Sequence, residues 1–180
     1  MRNNIALVLV SVAIVLQQCL ETAAAPAEDE VLELPGFGVP PTKQYSGYLD
    51  AKDGCDEKED VCRIHYWFCS ADGDDANSKP VVLWLNGGPG ASSVAGMLSE
   101  NGPLLMNATG GLMVNPYSWT KIVNLVVLEA PVGVGYSYCS SQMKNGLCSN
   151  TDKLTASVSV CVSVSVCEQI DHRNPTCRGP

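Results

Sequence analysis

The chain has 180 residues and a formal net charge of -8, with 46% hydrophobic and 17% charged residues. One domain is the default for that length, and an acidic chain with no basic, aromatic-interleaved stretch excludes nucleic acid, because phosphate binding needs clustered Lys and Arg. The only histidines are His65 and His172 and the cysteine spacing fits no zinc pattern, so no metal site and no cofactor are expected.

The chain opens as a secretory leader, residues 1–27. Arg2 supplies a positive start, and residues 5–16 form an apolar stretch too short to span a bilayer comfortably. Small residues follow at Ala23, Ala24, Ala25 and Ala27, which places cleavage between Ala24 and Glu28. An uncleaved anchor is the alternative. No second stretch is long and apolar enough to span, so no stable membrane span is expected once the leader is removed.

Nine cysteines suit an oxidising compartment. Cys19 leaves with the leader. The remaining eight have too many possible pairings for connectivity to be read. Cys139 and Cys148 close a short loop rich in Ser, Asn and Gly, and are the favoured pair. Asn107-Ala108-Thr109 is a glycosylation sequon, whereas Asn174-Pro175-Thr176 is excluded by its proline.

Residues 28–42 are an acidic, proline-containing lead-in. Residues 44–51 read as a strand, residues 53–60 as an acidic solvated loop, and residues 63–68 as the second strand of a hairpin. After a polar turn at 71–79, residues 81–85 form a continuous apolar run, the pattern of a strand buried on both faces. It ends in Asn86-Gly87-Gly88-Pro89-Gly90. Glycines there remove Cβ atoms and leave N–H groups free to face a ligand. Ser92 or Ser93 caps a helix running to about Glu100, with Ala95, Met97 and Leu98 inward, and Asn101-Gly102-Pro103 stops it. Gly110-Gly111 is a turn. Residues 123–128 form a second buried strand, and residues 131–138 a glycine-punctuated loop at its carboxyl end. Ligands of open α/β sheets sit outside such strand ends, so the two glycine loops mark a cleft. From residue 157 the character changes to Val alternating with Ser or Cys, strand-like in period but adhesive. It is read as a divergent tail, residues 157–180, outside the fold.

Six blocks stand in order: Gln44 to Leu49, His65 to Phe68, Leu83 to Gly90, Glu100 to Pro103, Asn115 to Trp119, and Leu128 to Tyr138. Together they resemble the serine carboxypeptidases of the α/β-hydrolase superfamily, over roughly residues 34–156. The resemblance implies the amino-terminal part of an α/β-hydrolase, with a mixed, mostly parallel sheet, as a domain over residues 28–156. It implies a peptidase that releases carboxyl-terminal residues through an acyl-enzyme, with peptide or protein C-termini as partners and a secreted, lysosomal or vacuolar destination. By position, the Gly88 N–H is the oxyanion donor, and such donors contribute about 3–4 kcal/mol each. Asn86, the Gly87 N–H and Glu100 match positions that bind the substrate carboxylate. A glutamate there requires a shared proton, which favours acid pH. Glu100 facing water and Asn86 merely serving the turn are the plain alternatives. Trp84, Trp67, Tyr45 and Tyr48 are read as core aromatics and His65 as structural.

The family's Gly-Glu-Ser-Tyr-x-Gly elbow has no counterpart here. Gly135-Tyr136-Ser137-Tyr138-Cys139 lacks the closing glycine and belongs to a different block. His172 follows Asp171 in the tail and is no credible base. Ala91 stands where many relatives have a cysteine, so the resemblance implies that one family disulfide is lost. The nucleophile, aspartate and histidine of the triad are thus absent, and this chain is expected to be inactive alone. A secreted module that binds peptide carboxylates, or a non-functional fragment, are the rivals.

Overall fold

The computed structural model describes residues 27–51, 61–88, 90–142 and 146–148. The leader up to residue 26, the acidic loop at 53–60 and the tail at 157–180 lie outside the described residues. Strands β1 (Gln44–Asp50) and β2 (Cys62–Cys69) pair antiparallel as the expected hairpin, with Tyr48 opposite His65. The third strand, β3 (Val81–Trp84), leads into a short helix, α1 (Ser93–Gly96). A hairpin of β4 (Leu104–Met106) and β5 (Leu112–Val114) follows, turning at Gly110 and Gly111. Then come β6 (Asn124–Leu128) and the two-residue β7 (Tyr138–Cys139). The main sheet has the order β1-β2-β6-β3, with β7 also on β2.

The sheet is mixed, as expected. Among the described residues β3 and β6 run parallel, and the β1–β2, β2–β6 and β2–β7 pairs are antiparallel, so the described strands are not mostly parallel. Connectivity accounts for two of these pairs: the consecutive strands β1 and β2 are joined by a connection short enough for a hairpin, whereas β3 reaches β6 through the intervening α1 and β4–β5 segments, as a parallel pair requires.

The core is organised by β6. Leu125, Val126, Val127 and Leu128 are all buried, and successive residues feed opposite faces. Val126 and Leu128 join Ile64, Tyr66 and Phe68 of β2 on one face. Leu125 and Val127 join Cys69, Val94 and Met97 on the other. Each such side chain contributes roughly 1.5–3 kcal/mol by leaving water. This accounts for the unbroken apolar run at 125–128. The similar run in β3 is only half buried, because β3 lies at the end of the strand order and has no second strand beside it among the described residues.

Ser92 caps α1 as expected, its hydroxyl accepting from the Ala95 N–H at 3.2 Å. The helix then widens into a π-helical segment, Met97–Asn101. Met97 is buried and Leu98 partly buried, but Ala95 faces solvent. The helix is only one turn long before it widens, so an ordinary helical period does not set its inward face. Tyr48 also departs from its reading as a core residue. It is 48% exposed, because it sits on the first strand of the sheet and leans on His65 and Tyr138.

Candidate functional site

The glycine loop springs from the carboxyl end of β3. Trp84 is the last residue of that strand, and its indole Nε1–H donates to Asn86 Oδ1 at 2.6 Å. An indole is donor only. The bond therefore fixes the Asn86 amide with its oxygen toward Trp84 and its NH2 available to an incoming acceptor. The Asn86 backbone N–H donates to the buried Ser93 hydroxyl at 3.1 Å, which ties the start of the loop to α1. Gly96 completes the clamp. A Cβ at that position would run into the Asn86 side chain.

Gly87 and Gly88 are exposed, and no described group accepts their N–H. Gly88 has φ +132°, and an added Cβ would stand 3.1 Å from the Gly90 nitrogen. This conformation belongs to glycine. Asn86, Gly87 and Gly88 thus share one turn with donors unspent. Glu100 is four residues beyond Gly96, in the π-helical segment, with its side chain in solvent. Its backbone is held instead: the buried Asn115 amide donates to Glu100 O at 3.2 Å and to Gly102 O at 2.8 Å. Two of the six sequence blocks are therefore joined by one asparagine.

A second, buried constellation lies beneath the loop, and sequence reasoning missed it. Glu129 immediately follows β6 and is fully buried. One carboxylate oxygen accepts from the Ser92 hydroxyl at the start of α1. The other accepts from the Tyr136 N–H at 2.6 Å and from His65 Nδ1 at 3.2 Å. With Nδ1 donating, His65 Nε2 accepts from the Ser46 hydroxyl at 2.9 Å. Burial alone would raise the Glu129 pKa, but the bonds from His65, Ser92 and the Tyr136 N–H outweigh it and hold the carboxyl below its ordinary range. Gly135 permits this approach, since a Cβ there would meet the carboxylate. The available signal was an acidic residue directly after the apolar run 125–128.

Ser137, the nearest approach to a nucleophile motif, is buried and engaged. Its hydroxyl donates to Glu129 O at 2.5 Å and accepts from the His65 N–H at 2.8 Å. Tyr136 and Tyr138 are exposed, at 65% and 42%, beside His65 and Tyr48 respectively. Cys139 and Cys148 form the expected disulfide. Cys69 is a free, buried thiol that burial pushes well above its ordinary pKa, so it is unreactive. Asn107 is exposed at the turn of the β4–β5 hairpin, where its Oδ1 accepts from the Thr109 hydroxyl at 2.7 Å. Among the described residues no three His, Cys, Asp or Glu side chains converge as metal ligands, and no helix is long and apolar enough to cross a membrane.

The family described as serine carboxypeptidase matches residues 35–162. The Lysosomal protective protein of Mus musculus is 48% identical over 122 residues, 67% of this chain and 24% of that protein. Carboxypeptidase Y homolog A of Leptosphaeria maculans is 47% identical over 116 residues, 64% of this chain and 20% of that protein. The crystal structure of Kex1(delta)p, a prohormone-processing carboxypeptidase from Saccharomyces cerevisiae, superposes with a TM-score of 0.51 at 26% identity, covering 72% of this chain and 26% of that one. The chain spans between a fifth and a quarter of the length of these relatives. Its fold is part of the α/β-hydrolase architecture of that neighbour, and the chain belongs to the serine carboxypeptidase family.

Proposed function

We propose that the glycine loop supplies the oxyanion and carboxylate-binding part of a serine-type carboxypeptidase, and that these 180 residues do not turn over peptides alone. The observation that carries the reading is the pair of unspent N–H groups at Gly87 and Gly88, beside an Asn86 amide whose NH2 is presented by Trp84. In this reading the free carboxylate of a peptide accepts from Asn86 Nδ2 and the Gly87 N–H. The scissile carbonyl oxygen points at the Gly88 N–H, which stabilises the negative charge that develops there. Glu100 joins the carboxylate through a shared proton, which strengthens recognition in acid. Formation of an acyl-enzyme needs an activated nucleophile. The sequence has no Gly-x-Ser-x-Gly, and its nearest serine, Ser137, is buried with its hydroxyl engaged. The leader, the Cys139–Cys148 disulfide and the exposed sequon at Asn107 support passage through the secretory pathway, toward a lysosomal, vacuolar or extracellular site.

The half-buried edge at β3 favours a second reading, a fragment without function, because an apolar edge strand is prone to add further strands. Incubation of the purified chain with an N-blocked dipeptide separates these from an active enzyme. No product is expected. Release of the carboxyl-terminal residue, abolished by an organophosphate, would overturn the proposal. A chain that sediments only as aggregate would favour the fragment.

A further inference from the structure

We infer that Glu129 is the positioning residue of the glycine loop: through the Ser92 hydroxyl its buried carboxylate fixes the carboxyl end of that loop over the sheet and so sets the direction of the Gly87 and Gly88 N–H groups. The inference takes from the proposed function only what the loop is for; the positional claim stands on geometry alone.

The loop has two attachments. Its start is held by Trp84 on Asn86 Oδ1 and by the Asn86 N–H on Ser93. Its end is held at Ser92, whose hydroxyl caps α1 and donates to Glu129. Between them the chain turns with Ala91 N–H on Gly87 O at 3.3 Å and nothing else described holding the two glycines. A segment this short, bound at both ends, has its N–H directions set by where the ends are placed.

Glu129 can serve as the fixed end because every element around it contributes to holding it. His65 comes from β2, Ser92 from the start of α1, and the Tyr136 N–H from the loop after β6. Ser46 and Tyr48 of β1 reach it through His65, by a hydrogen bond and a ring contact. Three of the six ordered sequence blocks therefore meet at one carboxylate, and Ser92, two residues past the glycine loop, connects that loop to them. The network also explains why a serine, a histidine and a glutamate in hydrogen-bonded order need not be a nucleophilic set. The histidine is 5% exposed and the glutamate has its other oxygen occupied by Ser92.

The test reads the loop directly, by nuclear magnetic resonance of the labelled full chain. The sequence has three tryptophans, and W84F identifies the Trp84 indole. E129Q keeps the side-chain volume and the α1 cap but leaves one accepting oxygen for three donors. It is expected to displace the Trp84 indole signal and the Gly87 and Gly88 amides more than the Trp67 indole, which is bound to Gln44 in β1. S92A should displace the same signals, and S92T, which keeps the hydroxyl, should restore them. In the wild type these signals should move together as Glu129 is protonated in acid, and E129Q should abolish that movement. A blocked dipeptide with a free carboxylate should bind E129Q about tenfold more weakly, the equivalent of one hydrogen bond.

The idea fails if E129Q leaves the two glycine amides in place, or if S92A moves them while E129Q does not, since the cap alone would then explain the loop. A wild type without a distinct Trp84 resonance would also contradict it. If E129Q fails to fold, the S92A and S92T pair decides. If the wild type binds no peptide, the carboxylate reading fails, while the amide shifts still judge the positioning role.

Discussion

Beneath the sheet end at Glu129 and above it at Gly87 to Glu100, the molecule treats polar groups in opposite ways. Below, every partner is spent: a buried carboxylate receives a hydroxyl, a backbone N–H and an imidazole. Above, the Gly87 and Gly88 N–H groups have no described acceptor and the Glu100 side chain lies in water. A buried polar group left unpaired is costly, whereas an exposed one is satisfied by solvent until a ligand replaces it. The lower region thus supplies rigidity, whereas the upper one leaves its donors to solvent.

The sharpest way to break this contrast is to remove one carboxylate from each region. Glu129→Ala leaves three donors, one buried and two partly buried, without their acceptor and should cost about 3 kcal/mol in urea unfolding. Glu100→Ala should change stability by no more than about 0.5 kcal/mol, as surface substitutions do. The pH dependence has a definite sign. The Glu129 carboxyl is held below its ordinary value of 4.5, so its contribution is full above that value and is lost as pH falls through its own lower one. Denaturation midpoints across the acid range should show this loss in the wild type and not in Glu129→Gln. Equal costs at Glu129 and Glu100 would dissolve the distinction.

A substitution at the junction sharpens it. Gly96→Ala pushes a methyl group into the Asn86 side chain. It should cost about 1–3 kcal/mol, the range for overpacking, and release the Trp84 indole from Asn86, visible as a change in tryptophan emission. Unchanged emission would mean that Asn86 is not held as described. The smallest effect belongs to the far hairpin. Asn107→Gln should leave stability within about 0.5 kcal/mol, but should remove the glycosidase-sensitive gel shift of the chain secreted from eukaryotic cells. A wild type with no such shift would show that the sequon is unused.

The strands were legible because their signals are local. The hairpin of β1 and β2, the buried run of β6, the cap at Ser92 and the short cysteine loop each show in residue type and period. The balance of the sheet was not legible, because strand direction depends on which segments become neighbours. Equal hydrophobicity in β3 and β6 likewise concealed that one lies at the end of the strand order and the other inside it. At the site, the glycines were plain in the sequence, since few residues tolerate Gly88's φ of +132°. Glu129 was not, because its partners are 37, 7 and 64 residues away. A motif search reads each block separately and cannot see that Ser92, Tyr136 and His65 converge. Glu100 is singled out by resemblance alone, and its side chain is exposed in this structure.

The central claim is the proposal that the donors at Asn86 and Gly87 bind a peptide's free carboxylate, with the Gly88 N–H left for the scissile carbonyl. Calorimetric titration of the chain with one N-blocked dipeptide, as free acid and as carboxyl-terminal amide, tests it most directly. The account predicts binding of the acid, weakened by Asn86→Ala and strengthened by lowering pH within the range where Glu129 stays ionised, and no binding of the amide. Equal affinity for acid and amide, or binding of neither, would contradict it.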